Sequence, residues 1–461
     1  MNSLVHRQSF RDARGSALVS AAIAAAILSI LAAGVLAHLG NEFNLNLRSH
    51  QWTQALHLAE AAVEMGFAEL NYQYFQQSSG FQSGRGWTTD GSGNYSRTVT
   101  NFASGLNRTI GDYAVTVSGV GGSRPVILGV GSPTDASRGL DLSRAVRVTL
   151  APSSKFPVGM MSKNKMDLKG SNFYIDSYDS SDPTKSTSGL YDSTKRQANG
   201  DIATNGEVTD TLNTAAPAIY GRAYTGAGGS MSMGNGGSVG PTFVESERAT
   251  TVAAGEAEGW IRHDFAVDVP DVVLPAGLSS APLVGNGTIK NSVTLTSGDY
   301  MVNTIQLRNS DTLTIASGTV RLYVTGNTTT SGQAKIVIKS GASLQIYAAG
   351  SMSIAGQGVL NETGLASNNQ FYGLPSSTSW DISGNGLWSG TIYAPEADLK
   401  MSGGGSSGDA SGAIVSSTFT LSGGSKFHYD ESLRDNPAVA TSYYVVSWQS
   451  LRWDGGGWVA E

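Results

Sequence analysis

The sequence contains no cysteine, which excludes a disulfide framework, a thiol nucleophile and cysteine-ligated zinc or iron–sulfur sites. Charged residues are scarce at 14% of 461 residues, and the formal net charge is −6. The chain therefore has neither the basic surface expected for a nucleic-acid partner nor the acidic excess of a disordered tail. Glycine, in contrast, is abundant with 58 residues, which favours many short elements joined by tight turns.

A long uncharged run follows a basic N-terminus. Residues 1–15 are polar and basic, and 16–37 then runs for 22 residues without a charge. A helix of that length reaches roughly 33 Å, enough for a hydrocarbon core of about 30 Å. Because the basic flank precedes the apolar run, the positive-inside rule predicts a transmembrane segment at 16–37 with the bulk of the chain outside. A cleaved signal peptide would explain the charges, but its apolar core is usually about 7–15 residues long.

Apolar residues continue beyond this run at the spacing of one helix face. They are Leu45, Trp52, Leu56, Ala59, Val63, Phe67, Leu70 and Tyr74, while Arg48, Glu60, Glu64 and Glu69 lie off that stripe. The sequence thus predicts one α-helix from 16 to about 76, apolar all round in its first half and amphipathic in its second.

The stretches RGSALVSAAIAAAILSILAAG and HLAEAAVEMGFAELNYQ resemble type IV pilin-like proteins, in particular minor pilins of the PilX kind. In that family a basic leader ends in Gly and a prepilin peptidase cuts directly after it. The matching positions are Gly15 and Ser16, so the resemblance implies a leader at 1–15 and a mature helix at 16–76. The family uses the apolar half first as an inner-membrane anchor and then as the packing core of a filament with other pilins. An uncut signal anchor is the alternative for this N-terminus.

Ser20 departs from the family pattern. Major pilins carry Glu as the fifth residue of the mature chain, where it pairs with the N-terminal amine of a neighbouring subunit. A buried carboxylate costs several kcal/mol unless it is paired, and Ser20 supplies no such charge. Ser20 is therefore a candidate filament contact, and the resemblance implies a rare, initiating or tip-located subunit, as in K-type pseudopilins, rather than the repeating one.

Residues 77–152 are predicted to be a linker and a small sheet. A Gly/Ser-rich stretch leaves the helix, and two alternating runs follow at 113–117 and 145–150. We expect these runs to be paired strands that rest on the helix, with a glycine-containing loop between them.

Residues 153–435 have the texture of a parallel β-helix. The segments 389–393 and 411–415 repeat at 22 residues, and glycines recur at spacings of 23 and 24 residues between 318 and 350. Three short strands per repeat suit coils that stack about 4.8 Å apart. An antiparallel sandwich, which also has short strands with regular turns, is the alternative.

Two segments do not follow the repeat. Residues 241–278 carry charges and prolines and are expected to be an excursion across the face of the coils, whereas the aromatic tail at 436–461 is expected to cap the last coil or fold back over the head. Docking of the tail to a partner subunit is the alternative. The motifs LYVTGN, GTIYAPEADLKMSGGG and FHYDESL also resemble a C-terminal domain often attached to PilX-like N-termini, over roughly 156–435.

Candidate chemistry is sparse in this body. Glu396 and Asp398 would share a strand face, as catalytic carboxylates or as solvated ones. His428 with Asp430 or Glu431 could bind a metal or move a proton, or could fasten the final coil to the tail. Asp176, Asp179 and Asp182 recur every third residue and are weak calcium candidates, although Asp is also common in turns. We expect no catalysis, no cofactor and no resident metal.

The fold class predicted is therefore mainly β, with a long N-terminal helix, a small sheet and a parallel β-helix. The expected function is a minor pilin or pseudopilin of a type IV pilus or related secretion filament. The expected partners are other pilins, the prepilin peptidase and the inner membrane, with the bulk of the chain periplasmic and then extracellular in a pilus. A membrane-anchored surface protein, adhesive or carbohydrate-processing, is the first alternative, and a scaffold that polymerises by end-to-end coil stacking is the second.

Overall fold

The computed structural model describes residues 13–76, 81, 83–103, 109–134, 142–207, 212–383, 388–403, 409–423, 426–436 and 440–460. It is mainly β, with one long helix at the N-terminus, α1 (Ala13–Gln76). The prediction of a single helix is confirmed. Its alanine-rich sequence without proline explains why it runs unbroken.

The strands that follow α1 are β1 (Thr88–Thr89), β2 (Tyr95–Ala103), β3 (Thr109–Ser118), β4 (Val126–Pro133) and β5 (Arg144–Ser154). The body contains β6 (Met160–Tyr178), β7 (Ile202–Thr204), β8 (Leu212–Ile219), β9 (Ala223–Tyr224), β10 (Met231–Met233), β11 (Ser238–Val239), α2 (Val252–Ala257), β12 (Ile261–Arg262), β13 (Thr288–Ile289), β14 (Val293–Val302), β15 (Thr304–Leu307), β16 (Thr312–Val324), β17 (Thr328–Thr330), β18 (Lys335–Ile338), β19 (Ala342–Ala348), β20 (Met352–Ile354), β21 (Val359–Asn361), β22 (Asn369–Gly373), β23 (Ser379–Ser383), β24 (Trp388–Gly403), β25 (Asp409–Gly423) and β26 (Lys426–Asp430). The tail forms β27 (Ala440–Trp453) and β28 (Trp458–Ala460). Short 3₁₀ turns lie at Ser83–Arg85, Glu245–Glu247, Leu278–Ser280, Ala366–Asn368 and Glu431–Asp435.

The second half of α1 packs on a seven-stranded antiparallel sheet, the head sheet, with the order β1-β2-β3-β4-β5-β27-β28. One buried apolar cluster joins helix and sheet through Leu58, Ala59, Ala62, Val63, Leu70, Val115, Val117, Ile127, Val146, Val148, Leu150 and Tyr443. The predicted stripe is therefore right for Ala59, Val63 and Leu70 but wrong for Trp52, which is exposed. The covered helix face is centred on small residues, because the sheet lies very close to the helix backbone.

The head sheet contains a strand between the two that the sequence predicts. The runs 113–117 and 145–150 lie in β3 and β5, but they are not paired with each other, since β4 lies between them and pairs with both. In the sequence, Gly129 and Gly131 give β4 the appearance of a loop. In the structure these glycines face the helix: a Cβ on Gly131 would lie 2.2 Å from the Ala55 carbonyl oxygen, and one on Gly129 would lie 2.3 Å from that of Ala59. They are glycines because the helix backbone occupies the space of a side chain.

The aromatic tail is a strand of the head sheet, which corrects the expectation that it caps the last coil. β27 pairs antiparallel with the whole length of β5. Its Tyr443 is buried in the apolar cluster, and the Tyr443 backbone N–H donates to Asn71 Oδ1 of α1 at 2.7 Å. The tail thus folds back over the head, where it covers the edge that β5 would otherwise expose.

The body strands β6–β26 form a second sheet of 21 strands, and their pairings are all parallel within the described residues. Partners lie one repeat apart: the segments 389–393 and 411–415, which the sequence singles out, pair residue for residue in β24 and β25. The side chains that point inward are buried and apolar and form one continuous core. Parallel pairing rules out the antiparallel sandwich for this region.

The body strands do not stack in sequence order. The last ones, β25 and β26, pair with the first one, β6, and β7–β12 stack beyond it. We call the place where β25, β26 and β6 meet the junction. Both connections to the head sheet, from β5 to β6 and from β26 to β27, leave the body there. The chain must also return from β12 at one end of the stack to β13 at the other.

Residues 263–282, here called the strap, make that return. The strap runs along one column of paired residues on the outside of the body: Tyr224, Ala203, Met161, Val415, Tyr393, Tyr372, Tyr347, Tyr323 and Met301. Asn205 clamps the strap backbone with two hydrogen bonds to Val267, at 2.7 and 3.2 Å, and the Tyr393 hydroxyl donates to the Pro270 carbonyl at 2.7 Å. Nine strands spaced about 4.8 Å apart span roughly 38 Å, which an extended segment of this length covers.

Candidate functional site

The largest exposed apolar surface is the first half of α1. From 17 to 50 nearly every side chain is exposed, whereas from 51 onward one face is covered by the head sheet. The exposed large apolar side chains here are Leu18, Val19, Ile23, Ile27, Leu28, Ile30, Leu31, Val35, Leu36, Leu39, Phe43, Leu45 and Leu47. We call 17–50 the anchor segment. By length and composition it makes α1 a candidate membrane span.

The processing and contact candidates lie at the start of this helix. Ser20 is an exposed residue of the anchor segment. Gly15 and Ser16 fall within the first turns of α1, which begins at Ala13, and the placement of the Ser16 side chain is outside the described part of the chain. Residues 1–12, which hold most of the predicted leader, are also outside the described residues.

One charge of α1 is used inside the head, contrary to the expectation that Glu69 lies off the packed face. Glu69 is 3% exposed, and its carboxylate is 3.1 Å from the Arg85 guanidinium. It also accepts a hydrogen bond from the Phe81 backbone N–H at 3.3 Å. Glu69 therefore ties the segment after the helix back onto it.

Two of the sequence candidates, Asp176 and His428, meet at the junction although they are far apart in the chain. They are paired residues of β6 and β26, and His428 Nδ1 donates to Asp176 Oδ1 at 2.5 Å. Tyr191 stacks on the His428 ring at 3.5 Å and donates its hydroxyl to Asp176 Oδ2 at 2.8 Å. On the other side of the ring, His428 Nε2 faces Asp409 Oδ2 at 3.9 Å. These four residues and Tyr174, whose ring edge meets His428, form what we call the His428 cluster.

The electrostatics of this cluster favour a protonated imidazole. Burial by itself lowers the pKa of His428, but the hydrogen bond to Asp176 and the interaction with Asp409 outweigh it, so the pKa lies above its ordinary value. In return, the interaction with His428 lowers the pKa of Asp409. Burial, followed by the charge of Asp176, raises the pKa of Tyr191 and keeps its hydroxyl protonated.

The other two aspartates of the calcium candidate serve local turns. Asp179 Oδ1 accepts from the Ser181 N–H at 2.9 Å, and Asp182 Oδ1 accepts from the Thr184 N–H at 2.8 Å. These are the hydrogen bonds that make Asp frequent in turns. Among the described residues no group of three or more His, Asp or Glu side chains is placed to hold a metal ion. The structure thus gives the three aspartates separate uses.

The remaining polar candidates fasten strands together. Asp430 is buried, caps the 3₁₀ turn by accepting from the Ser432 N–H, and also accepts from the Ser180 N–H at 3.0 Å. Glu431 accepts from Ser177 at 2.6 Å and from the Asn199 side chain at 2.9 Å. Both residues therefore attach the last coil to the region around β6 and not to the tail.

Glu396 and Asp398 likewise have separate partners. Glu396 forms an ion pair with Lys163, and Asp398 accepts a hydrogen bond from the Thr418 hydroxyl at 2.7 Å. Asp398 is exposed and Glu396 is half-buried on the outside of the body. Nothing in these contacts brings the two carboxylates to one reacting group.

Comparison with known proteins identifies part of the body. The family model described as a domain of unknown function, DUF7305, matches residues 278–436. These residues run from the end of the strap to the junction, so they leave out α1, most of the head sheet and the strands β6–β12. No curated protein matches the chain.

Two solved structures share weak similarity. The competence-associated pilin ComZ from Thermus thermophilus is 12% identical, with a TM-score of 0.24 over 89% of this chain and 98% of that one. The DUF3494 domain of a Shewanella frigidimarina ice-binding protein is 13% identical, with a TM-score of 0.25 over 61% of this chain and 98% of that one. At these scores neither similarity determines the fold or the function of this chain.

Proposed function

We propose that this chain is a pilin-like structural subunit, of the minor pilin kind, in a type IV pilus or related secretion filament. The observation that carries the proposal is the division of α1: an apolar anchor segment exposed on all sides continues without a break into a half that the head sheet covers. An all-round apolar helix is stable only in a bilayer or among other helices, so the anchor segment needs both partners at different stages.

In this proposal a prepilin peptidase removes residues 1–15, cutting between Gly15 and Ser16. The mature helix is held in the inner membrane with the head and body outside, and later packs among the helices of other pilins. Ser20 lacks the carboxylate with which a repeating subunit would meet its neighbour, so the subunit is a rare one at the start or tip of the filament. Pilus display would then carry the body from the periplasm to the cell exterior.

The body is proposed to be a parallel β-helix that is displayed and not catalytic. In-register parallel pairing one repeat apart and a continuous apolar interior support this architecture. The separate partners of Glu396 and Asp398, and the use of Asp430 and Glu431 as fasteners, support a structural role for the acidic residues.

The proposal is tested by photo-crosslinking in cells that express the pilus machinery. A photoreactive residue at Leu31, in the middle of the anchor segment, is expected to crosslink to other pilins. The same residue at Val273, an exposed position on the strap, serves as the matched control and is expected not to. If Leu31 crosslinks to no pilin while the protein remains in the membrane fraction, the chain is an anchored surface protein that does not enter a filament.

A further inference from the structure

The His428 cluster holds down a long loop, residues 179–199, which leaves β6 and returns to β7. We call it the latch loop. Tyr191 is its main attachment to the junction, with its ring stacked on His428 and its hydroxyl on Asp176. Arg196 of the same loop approaches Asp176 at 3.8 Å. The loop therefore closes over a histidine that belongs to the last strand of the body and an aspartate that belongs to the first.

The two ring nitrogens of His428 meet acceptors on opposite sides. Nδ1 donates to Asp176, and Nε2, which is buried, has no hydrogen-bond partner among the described residues but points towards the Asp409 carboxylate. A neutral ring with its proton on Nδ1 would present the Nε2 lone pair to that carboxylate, and the two would repel. A protonated ring presents an N–H to each carboxylate, so the geometry suits the charged form.

We propose that His428 is the pin of a pH-sensitive latch: its imidazolium keeps the latch loop closed over the junction, and loss of its proton loosens the loop. The latch is built from three strands and one loop, so it reports on the place where the two sequence-distant parts of the body join. The groups that face the ring are Asp176 and Tyr174 from β6, Tyr191 and Arg196 from the latch loop, and Asp409 and Lys426 from β25 and β26.

The direction of the pH effect follows from these neighbours. The carboxylates raise the pKa of His428 above its ordinary value despite burial, so the folded protein binds this proton more tightly than the unfolded chain does. The stabilisation is fully present below the ordinary histidine pKa of about 6.5 and is lost as the pH rises through the higher folded value. The latch is thus closed in acid and loosens in alkali.

The test is hydrogen–deuterium exchange of the full chain in detergent, followed by mass spectrometry of peptides from 179–199 between pH 5 and 9. After correction for the chemical exchange rate, protection of the latch loop is expected to fall with rising pH, by about tenfold for each unit by which the folded pKa exceeds the unfolded one. In His428→Gln, which keeps a donor for Asp176 but cannot be charged, protection is expected to be low and independent of pH. His57→Gln, at an exposed histidine of α1, is the control and should behave as the wild type.

A second variant keeps the test decisive if His428→Gln does not fold. Asp409→Asn removes the half-exposed carboxylate that faces Nε2, and is expected to move the loss of protection to lower pH. Wild-type protection that does not change with pH, or an unchanged midpoint in Asp409→Asn, would overturn the proposal. The outcome does not depend on whether the chain enters a filament, since the latch lies wholly within the body.

Discussion

Gly131→Ala tests the close contact between α1 and β4. A Cβ at this position would lie 2.2 Å from the Ala55 carbonyl oxygen and 2.6 Å from both the Ala59 nitrogen and the Leu58 Cβ. Two of these three atoms belong to the helix backbone, which cannot turn aside as a flexible side chain would, so helix and sheet must separate. Overpacking of this kind costs about 1–3 kcal/mol, and we expect the upper half of that range.

The assay is hydrogen exchange of β3, β4 and the covered half of α1, measured on the full chain in detergent. A loss of 2–3 kcal/mol corresponds to a fall in protection of about 30- to 150-fold. Gly457→Ala is the matched control, because Gly457 lies in the same sheet with open space at its Cβ and is expected to leave protection unchanged. Wild-type protection in Gly131→Ala would refute the reasoning, and so would an equal loss in the control.

Three further changes test other contacts. Arg85→Ala is expected to cost about 1–3 kcal/mol, seen as faster exchange in 83–89, because it leaves the buried Glu69 carboxylate with one backbone N–H as its only described partner; wild-type exchange would contradict this. Asp430→Asn is expected to raise the melting temperature at pH 7, because burial raises the pKa of Asp430 and its charged form therefore destabilises the fold; the gain should vanish below the ordinary carboxyl pKa, and no gain at pH 7 would contradict the assignment. Tyr393→Phe removes the hydroxyl that holds Pro270 and is expected to speed proteolysis within 263–282, while unchanged cleavage would show that packing alone holds the strap.

The parts of the fold that the sequence predicts are those with a strong local period. α1 follows from a charge-free run that continues into a helical stripe, and the repeat at 389–393 and 411–415 follows from identical spacing in neighbouring strands. Both patterns arise from one element or from two consecutive ones, so no knowledge of distant contacts is needed.

The parts that the sequence does not predict depend on contacts between distant segments. Gly129 and Gly131 interrupt the alternation of β4, and only the approach of α1 explains why glycine is required there. Asp176 and His428 are 252 residues apart and meet because the last body strand stacks on the first, an order that no local period encodes. Tyr191 carries no motif at all and becomes visible only through the loop that brings it to His428.

The function proposed here depends most directly on the processing of the N-terminus. The decisive measurement is the N-terminal sequence of the membrane-fraction protein by mass spectrometry, in cells with and without a prepilin peptidase. The account predicts a mature chain that begins at Ser16 only when the peptidase is present. An N-terminus at Met1 in both strains would contradict entry into the pilin pathway and would leave a membrane-anchored surface protein.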